Sequence, residues 1–302
     1  MTPPSRCGSV AIVGRPNVGK STLLNRLVGR KLSITSPKPQ TTRSRLLGIK
    51  TEGLDQIIYI DTPGWQRRAP RELNRLMTRE VLGALQQVDV IVLVVEAGRW
   101  CDADAHVFAH IRRRSLPVLL AMNKIDRLAG KSELLPELER RWAAGSFAEI
   151  VPVSARFSDN VAALEQSLRR FLPQRPHLFP EDQLCDRSER HLAGEFLREK
   201  LVRLLDEELP YSAGVVIDEF TEQGKLVRIF ATIWVERPGQ KAIVIGENGA
   251  MLKRIGEQAR HDIERLLGRR VFLRTWVKVR ENWADDARFV RELHRQLPAH
   301  AR

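Results

Sequence analysis

Short apolar runs recur along the first half of the chain, separated by polar turns that contain glycine or proline. They span residues 9–13, 56–60, 117–122 and 150–153. Runs of this kind are typical of strands buried on both faces of a parallel sheet. Residues 21–28 follow helical spacing, with Gly29 at the position of a helix stop. The alternation predicts an α/β domain with a mostly parallel sheet and helices on both faces.

A different pattern begins after residue 186. Apolar residues follow helical spacing from Ser188, the predicted N-cap, to about Leu209. The segments predicted to follow are two strands (214–220 and 226–235), a Gly-x-x-Gly loop (246–249) between two helices, the second over about 250–267, and a last strand (271–279). This order, α-β-β-α-α-β, predicts a second, smaller α+β domain.

The boundary between the two patterns is rich in proline. Three prolines follow one another closely: Pro173, Pro176 and Pro180. Proline at this density predicts an extended linker, which we place at 173–187. The predicted domains are therefore 1–172 and 188–302.

The start of the first domain carries Gly14-Arg-Pro-Asn-Val-Gly-Lys-Ser21, which fits the P-loop pattern Gly-x-x-x-x-Gly-Lys-[Ser/Thr]. A strand, a glycine-rich turn and a helix direct backbone N–H groups and the positive end of a helix dipole at phosphates. Lys20 can reach the β- and γ-phosphates, and the Ser21 hydroxyl can hold Mg²⁺. The predicted phosphate-binding residues are Gly14, Asn17, Val18, Gly19, Lys20, Ser21 and Thr22.

A second motif, Asn123-Lys-Ile-Asp126, follows an apolar run and so falls at the carboxyl edge of the predicted sheet. The Asp126 carboxylate can accept hydrogen bonds from guanine N1–H and the 2-amino group, which adenine lacks. An adenine would leave that carboxylate unsatisfied, at a cost of roughly 1–3 kcal/mol. The Asn123 amide can join neighbouring loops, and the Lys124 stem can lie over the ring. After a later run, Ser154 and Ala155 fit a last base-binding loop, in which the Ala155 N–H meets guanine O6.

Between these motifs lies Asp61-Thr-Pro-Gly64, after another strand-like run. Asp61 would hold Mg²⁺ through water, and the Gly64 N–H would meet the γ-phosphate. Taken alone, the tetrapeptide is equally a plain turn. In this order, the four elements resemble those of the small GTPases of the translation-factor-related class. That resemblance implies GTP or GDP and Mg²⁺ as ligands.

The residue after Gly64 bears on hydrolysis. Ras-type enzymes have a Gln there, which orients the attacking water, whereas this chain has Trp65. The chain is thus similar to GTPases with a hydrophobic replacement, in which a partner or an ion completes the site. In potassium-dependent GTPases of this kind, an Asn at the position of Asn17 helps to hold K⁺. The alternative is that Asn17 only favours the tight turn after Pro16.

The predicted first switch is the proline-broken segment from Leu32 to Leu47. A threonine there would complete the Mg²⁺ shell; Thr42 is our choice and Thr41 the second. The predicted second switch runs from Gly64 to Arg71. The predicted catalytic set is Lys20, Thr42, Gly64 and Asn17, and the predicted Mg²⁺ ligands are Ser21, Thr42 and Asp61.

The Gly-x-x-Gly loop and the element order resemble a KH domain of the prokaryotic type. In such domains the glycines let a nucleic-acid backbone approach closely, beside a groove for about four unpaired bases. A bare Gly-x-x-Gly is more often a simple helix–helix turn, and Glu247 and Asn248 stand where KH loops usually have a basic residue. Nine Lys or Arg residues against three acids lie between 253 and 280. The predicted RNA-binding residues are Ile245, Gly246, Glu247, Asn248, Gly249, Lys253, Arg254 and Lys278.

Composition bears on the binding partner and on the cellular compartment of the protein. The 302 residues carry a net charge of +13, with a pI near 10.3, which indicates either a polyanionic partner or an arginine-biased surface. No apolar run is long enough to span a bilayer, and the first residues carry no secretory segment. Three widely spaced cysteines suggest a reducing compartment. These features predict a cytoplasmic protein.

Together the motifs and the domain order resemble the Era-like GTPase family, whose members carry a C-terminal KH domain. The stretches that carry this resemblance include residues 95–100, 208–212, 236–241 and 276–283. The resemblance implies a monomeric GTPase with possible peripheral membrane association that binds 16S ribosomal RNA near its 3′ end and acts in assembly of the small (30S) ribosomal subunit. It also suggests that GTP gates RNA binding. The alternatives are a membrane-associated signalling or cell-cycle GTPase, and an RNA-binding protein whose first domain is mainly structural.

Overall fold

The computed structural model describes residues 5–38, 41–65, 72–143, 147–205, 209, 213–286 and 289–290. These residues form two compact units. The first contains the described residues of Met1–Ser33, Thr42–Ala69 and Leu76–Asp186. The second contains those of Ile34–Thr41, Pro70–Arg75 and Arg187–Arg302. Residues 66–71 of the predicted second switch, and most of 208–212, lie outside the described residues.

The first unit is built on a six-stranded sheet. Its strands are β1 (Arg6–Val13), β2 (Leu46–Glu52), β3 (Asp55–Asp61), β4 (Val90–Glu96), β5 (Val118–Asn123) and β6 (Glu149–Val153). Their order is β2-β3-β1-β4-β5-β6, and all neighbours are parallel except β2 with β3. β4 and β5 are almost fully buried along their length, as expected for strands covered on both faces. The predicted mostly parallel sheet is confirmed.

Five helices of the described residues accompany this sheet. They are α1 (Lys20–Val28), α2 (Glu72–Ala84), α3 (Asp102–Ile111), α4 (Lys131–Ala143) and α5 (Val161–Arg170). α2, α3 and α4 bury apolar residues against alternate positions of β4 and β5, while α1 and α5 pack on each other and on β2 and β6. α1 ends at Gly29, whose positive φ of 79° suits a residue without a Cβ.

The proline-rich segment after residue 172 follows the first unit closely. The Gln56 side chain accepts hydrogen bonds from the Leu178 and Phe179 N–H groups at 2.8 and 3.0 Å. Further along, the Ile49 N–H donates to the Leu184 carbonyl at 2.8 Å, and the Leu47 N–H donates to Asp186 at 3.0 Å. The described backbone up to residue 186 is therefore anchored to the first unit.

The second unit has a three-stranded sheet with helices on one face. Its elements are α6 (Glu189–Leu204), β7 (Gly214–Gln223), β8 (Leu226–Val235), α7 (Pro238–Ile245), α8 (Ala250–Leu267) and β9 (Arg270–Val279). β8 lies between β7, which is antiparallel to it, and β9, which is parallel. The predicted α-β-β-α-α-β order is confirmed. Ser188 caps α6 by accepting from the His191 N–H at 3.3 Å.

Our prediction for the end of α6 is wrong. The apolar spacing extends to Leu209, but the helix ends at Leu204, and Leu205 has extended backbone angles. Leu205 and Leu209 are both buried in the core of this unit. Their apolar character therefore serves packing beyond the helix end, which spacing alone cannot distinguish from a longer helix.

Alternation along β8 decides which face is covered. The odd-numbered residues from 227 to 235 are fully buried in one core with α6, α7 and α8. Because successive side chains in a strand point to opposite faces, the even-numbered residues lie on the other face. The sheet thus has one face covered by helices and a second face, formed by the even-numbered residues, that points away from them.

Part of the predicted first switch also belongs to this unit. Ile34 is buried in the second core, and the Thr35 N–H donates to the buried Glu199 carboxylate on α6 at 2.9 Å. Thr42, at the end of this segment, lies in the first unit. Among the described residues, no helix is both long and apolar enough to cross a membrane.

Candidate nucleotide site and KH loop

The P-loop backbone requires glycine at two positions. A Cβ on Gly14, whose φ is 152°, would lie 2.4 Å from the Val94 carbonyl oxygen. A Cβ on Gly19, whose φ is 100°, would lie 2.3 Å from the Asn123 side-chain nitrogen. Asn17 has a left-handed φ of 63°, a conformation that Asn tolerates better than most residues. The loop is therefore fixed by the close approach of β4 and β5.

Lys20 lies beneath this loop. It is 6% exposed, and its Nζ donates to the carbonyls of Gly14 and Arg15, both at 3.0 Å. Burial lowers the pKa of Lys20 to about 8, partly offset by the nearby Asp61 carboxylate. A buried ammonium held by carbonyls of its own loop is a cation pre-positioned for an anionic ligand.

Three predicted Mg²⁺ ligands lie together. The Ser21 Oγ is 2.8 Å from the Thr42 Oγ1 and donates to the Asp61 Oδ2 at 2.7 Å. Ser33 Oγ donates to the same carboxylate oxygen at 2.7 Å. Thr41, the second choice for the switch threonine, instead directs its hydroxyl to Ser36 and to the Lys38 carbonyl.

The Asp61 carboxylate is fully buried. Its second oxygen, Oδ1, has no hydrogen-bond partner among the described residues. Burial raises the pKa of Asp61, while hydrogen bonds from Ser21 and Ser33 act in the opposite direction. Two hydroxyls and a carboxylate form a set of hard oxygen donors, and this set suits Mg²⁺.

Asn123, at the end of β5, connects two loops. Its side chain is 2% exposed; the Nδ2 donates to the Val18 carbonyl at 2.7 Å, and the Oδ1 accepts from the Ala155 N–H at 2.9 Å. Asp126 accepts from the Ser154 Oγ at 2.6 Å. The predicted base-binding residues therefore converge, and the Ala155 N–H that we assigned to guanine O6 donates here to Asn123.

The sequence interpretation missed Glu96 and Arg15. Glu96, at the carboxyl end of β4, accepts from the Lys124 Nζ at 2.9 Å and pairs with Arg15 of the P-loop at 3.4 Å. Arg15 also pairs with the fully buried Asp104 at 3.2 Å. Glu96 thus joins the P-loop to the base-binding motif. The available signal was its place directly after an apolar strand, where polar residues of parallel sheets meet ligands.

The Gly64 turn lies against the P-loop. A Cβ on Gly64 would lie 2.7–2.9 Å from Pro16, and the Trp65 N–H donates to the Gly14 carbonyl at 3.2 Å. The Trp65 ring lies beside His110 of α3, with centroids 5.0 Å apart. The indole therefore packs on imidazole, and it has no group that could orient water as a glutamine does.

The Gly-x-x-Gly loop lies between α7 and α8. Gly246 has a φ of 71°, and a Cβ there would lie 2.7 Å from the Met251 Cβ. Gly249 has a φ of 80° and caps α8, but a Cβ there would meet nothing within 4 Å. Glu247 and Asn248 between them are exposed, whereas Ile245 packs partly on the second core.

The predicted basic residues of this domain divide between two places. Lys253 and Arg254 are exposed in the first turns of α8, next to the loop. Lys278 lies instead at an even position of β9, on the sheet face away from the helices, with its Nζ 5.7 Å from the Trp234 ring centroid. The structure therefore does not bring Lys278 together with the loop. Ile243 of α7, which is 55% exposed, is an apolar neighbour of the loop that the sequence interpretation missed.

These two units define a P-loop GTPase domain followed by a KH domain. The family model described as 50S ribosome-binding GTPase matches residues 9–124, and the KH domain model matches residues 208–284. The GTPase Era of Marinobacter nauticus is 53% identical over 96% of this chain and 95% of its own length. That of Coxiella burnetii is 49% identical over 96% of this chain and 98% of its own length. The chain belongs to the Era family of GTPases.

Two solved structures of Era share the whole fold. One, at a TM-score of 0.93 and 38% identity, is Era in complex with MgGDPNP and nucleotides 1506–1542 of 16S ribosomal RNA; it covers 97% of this chain and 100% of its own. The other is an Aquifex aeolicus Era variant bound to GDP.AlF4-, with a TM-score of 0.92, 38% identity and the same coverage.

Proposed function

We propose that this chain binds GTP with Mg²⁺ and hydrolyses it to GDP and phosphate, and that it binds 16S ribosomal RNA near the 3′ end during assembly of the small ribosomal subunit. The observation that carries the proposal is the contact of Ser21, Thr42 and Asp61 directly beside the buried Lys20. The Era complexes described above support the ligands, and the cytoplasm is the compartment where small subunits are assembled.

The residues of the first unit would divide the work on the nucleotide. Ser21 and Thr42 would hold Mg²⁺ directly and Asp61 through water, while Lys20 would bind the β- and γ-phosphates. When bound, Mg²⁺ neutralises charge on the phosphate oxygens. Gly14, Val18, Gly19 and Thr22 would line the phosphates with backbone, and the Gly64 N–H would meet the γ-phosphate.

The base would be selected by Asp126. Its carboxylate is fixed by Ser154 at 2.6 Å, so that the other lone pairs are available to guanine N1–H and the 2-amino group. Asn123 holds the P-loop and the Ala155 loop together, and the Lys124 stem is kept in place by Glu96. This arrangement supports guanine over adenine, because adenine offers the carboxylate no donor.

Hydrolysis needs help from outside this set of residues. Trp65 cannot orient water, so a cation beside the phosphates would have to stabilise the charge that develops in the transition state. Asn17, in its left-handed conformation at the loop, is the side chain we propose for holding K⁺. RNA bound to the KH domain is the second activator we propose.

The KH loop would bind single-stranded RNA. Gly246 and Gly249 would leave no side chain where the RNA backbone approaches the loop. Ile245 and Ile243 would be the apolar side chains next to the bases. Glu247 opposes phosphate, so Lys253 and Arg254 on α8 would supply most of the attraction.

The proposal is tested by GTP hydrolysis of the purified chain, with and without a small-subunit 3′-end RNA oligonucleotide, in K⁺ and again in Na⁺. We expect stimulation by the RNA and a faster rate in K⁺. Thr42→Ala should lower hydrolysis by about 100-fold through loss of a Mg²⁺ ligand, whereas the matched Thr41→Ala should change it less than about threefold. An equal loss of hydrolysis in both variants would contradict the assignment of Thr42 as a Mg²⁺ ligand.

Gating of RNA by nucleotide is tested separately. RNA affinity is measured with GDP and with a non-hydrolysable GTP analogue. Because binding free energies are reciprocal, an RNA that stimulates GTP binding must itself bind more tightly when GTP is present. Equal RNA affinity in the two nucleotide states would show that the nucleotide does not gate RNA binding.

A further inference from the structure

Aromatic and basic side chains share the sheet face of the second unit that faces away from the helices. They are Arg228 and Phe230 on β8, and Phe272, Arg274, Trp276 and Lys278 on β9. We call these six residues the aromatic face. They occupy even positions, and the odd positions between them are packed on the helices.

The strand register places a cation across from three of the rings, whereas Trp276 lies across from Thr232. Arg228 is paired with Phe272, Phe230 with Arg274, and further along Trp234 with Lys278. The guanidinium of Arg228 lies 5.7 Å from the Phe230 ring centroid and 5.8 Å from that of Phe272. Rings and cations therefore alternate along β9, and three ring–cation pairs join β8 to β9 on one surface.

The rings are close enough to act as one platform. Phe230 lies 6.1 Å from Phe272 and 5.7 Å from Trp276 between ring centroids. Phe272 is 45% exposed and Trp276 is 39% exposed. Large aromatic side chains with this much exposed surface on a sheet mark an interaction site, because burial of their apolar surface is otherwise favoured.

The charge on this face is available to a ligand. Arg274 stacks on Trp276 at 5.2 Å, and among the described residues Arg228, Arg274 and Lys278 enter no ion pair. The acids of the same face lie on β7, where Asp218 accepts from Thr232 at 2.7 Å and Glu219 accepts from Thr221 at 2.9 Å. The part of this face that β8 and β9 form is therefore positively charged. The two carboxylates lie on the neighbouring strand β7, where each accepts a hydrogen bond from a threonine.

We propose that the aromatic face is a second binding surface for single-stranded RNA, on which bases stack on Phe272 and Trp276 while Arg228 and Arg274 contact phosphates. Exposed rings interleaved with cations are the combination that binds unpaired nucleic acid, since every base has a π-face and every linkage a charge. A surface that binds a protein partner would carry fewer unpaired cations. The positive charge of this face therefore favours RNA as its ligand.

The location complements the Gly-x-x-Gly loop. That loop is at the start of α8, on the helical side of the sheet, and a KH groove accommodates about four nucleotides. A longer strand needs further surface. A cleft of about 700 Å³ borders the aromatic face at the start of β9, lined by Phe272 together with Arg260, Glu264, Arg269 and Arg270. Arg260 pairs with Glu264, and Arg269 pairs with Glu189 and Glu222, so Arg270 is the cation of this cleft that enters no ion pair among the described residues.

The test compares two RNAs on the full chain. One is a single-stranded 3′-end small-subunit RNA of about 12 nucleotides, and the other is a piece of about four that fills only the groove. The variant is Phe272→Ala with Trp276→Ala. We expect it to weaken the longer RNA by about tenfold or more for each ring lost, and to leave the shorter RNA unchanged.

Controls separate this surface from a loss of fold. Trp142→Ala removes a tryptophan that is 65% exposed in the first unit, and it should leave both RNAs unaffected. Trp276→Phe should retain most of the affinity, because a ring remains for stacking. Arg274→Gln should reduce the slope of log affinity against log salt by about one.

The inference rests on the proposed function, and the outcomes distinguish the two. If the wild-type chain binds neither RNA, the proposed function fails. If it binds the longer RNA and the double variant binds equally well, only the aromatic face is overturned. If the variant keeps RNA affinity but no longer binds small ribosomal subunits, the face contacts a ribosomal protein, and the RNA assignment is overturned as well.

Discussion

The chain contains two glycine loops that open helices, and they are built differently. In the P-loop, a Cβ at Gly14 or Gly19 would collide with β4 or with Asn123. In the KH loop, a Cβ at Gly246 would collide with Met251, but one at Gly249 would meet open space. The first loop is enclosed by its own domain, whereas the second is open on one side.

The charges differ in the same sense. The P-loop is closed from below by a buried lysine held on two carbonyls, and the KH loop exposes a glutamate. An enclosed loop binds one compact, highly charged group in a fixed geometry. An open loop permits a chain to pass across it, and relies on surrounding surfaces for affinity. The comparison predicts large effects of small changes at the first loop and modest ones at the second.

Removal of Mg²⁺ should produce the largest difference between the functions of the two loops. With excess EDTA, GTP hydrolysis should fall by about 1,000-fold or more, because Ser21, Thr42 and Asp61 then hold no charge-neutralising ion. RNA binding in the absence of nucleotide should not change, and this is measured by anisotropy of a labelled RNA. RNA affinity that falls with Mg²⁺ at constant ionic strength would place the ion in both sites.

Alanine at one glycine of each loop is the next test. Gly19→Ala should weaken GDP binding by about 100-fold or more, because an added Cβ strains the left-handed backbone and would lie 2.3 Å from the Asn123 side-chain nitrogen. Gly249→Ala should cost about 1 kcal/mol of unfolding free energy from backbone strain and change RNA affinity by less than about fivefold. Nucleotide titration, RNA titration and thermal unfolding measure the three quantities. Similar losses in the two variants would end the distinction between an enclosed and an open loop.

Asp126→Asn tests whether the enclosed site reads its base by one carboxylate. Affinity for GTP should fall by about 10- to 100-fold, since a lost partner costs roughly 1–3 kcal/mol. Affinity for xanthosine triphosphate should rise, because its 2-carbonyl can accept from the new amide. Competition titrations with the two nucleotides measure this, and unchanged guanine preference would revive a structural role for the domain.

Glu247→Lys should have the smallest effect and the opposite sign. Replacing an acid beside phosphate by a base should raise RNA affinity by about fivefold at low salt and steepen the salt slope by about one. Glu257→Lys, on α8 beyond the loop, is the matched charge control. An equal gain in both variants would mean that net charge alone, and not the loop, governs the effect.

Much of this molecule follows from short-range pattern. The apolar runs predict the parallel sheet because strands buried on both faces need no polar alternation. The P-loop and the Asn-Lys-x-Asp motif predict a guanine-nucleotide site because backbone N–H groups, a lysine and a carboxylate are chemically required there. The order of elements in the second half predicts the KH fold, and Ser188 marks the start of its first helix.

Other features were decided by contacts between distant parts of the chain. Thr41 and Thr42 are chemically identical neighbours, and only the fold places Thr42 beside Ser21 while Thr41 bonds to Ser36. Lys278 belongs to a basic stretch, yet the pleat of β9 turns it away from the Gly-x-x-Gly loop. Leu209 continues a helical spacing after the helix itself has ended.

The sequence by itself therefore determined the two domain types, their order and the chemistry of the nucleotide site, because each depends on residue type and on spacing over a few residues. Tertiary structure alone decided that Glu96 supports Lys124, that residues 173–186 run along the first unit, and that β8 and β9 combine their rings and cations on one open face. These depend on which strands become neighbours, and a strand carries no local record of its partner.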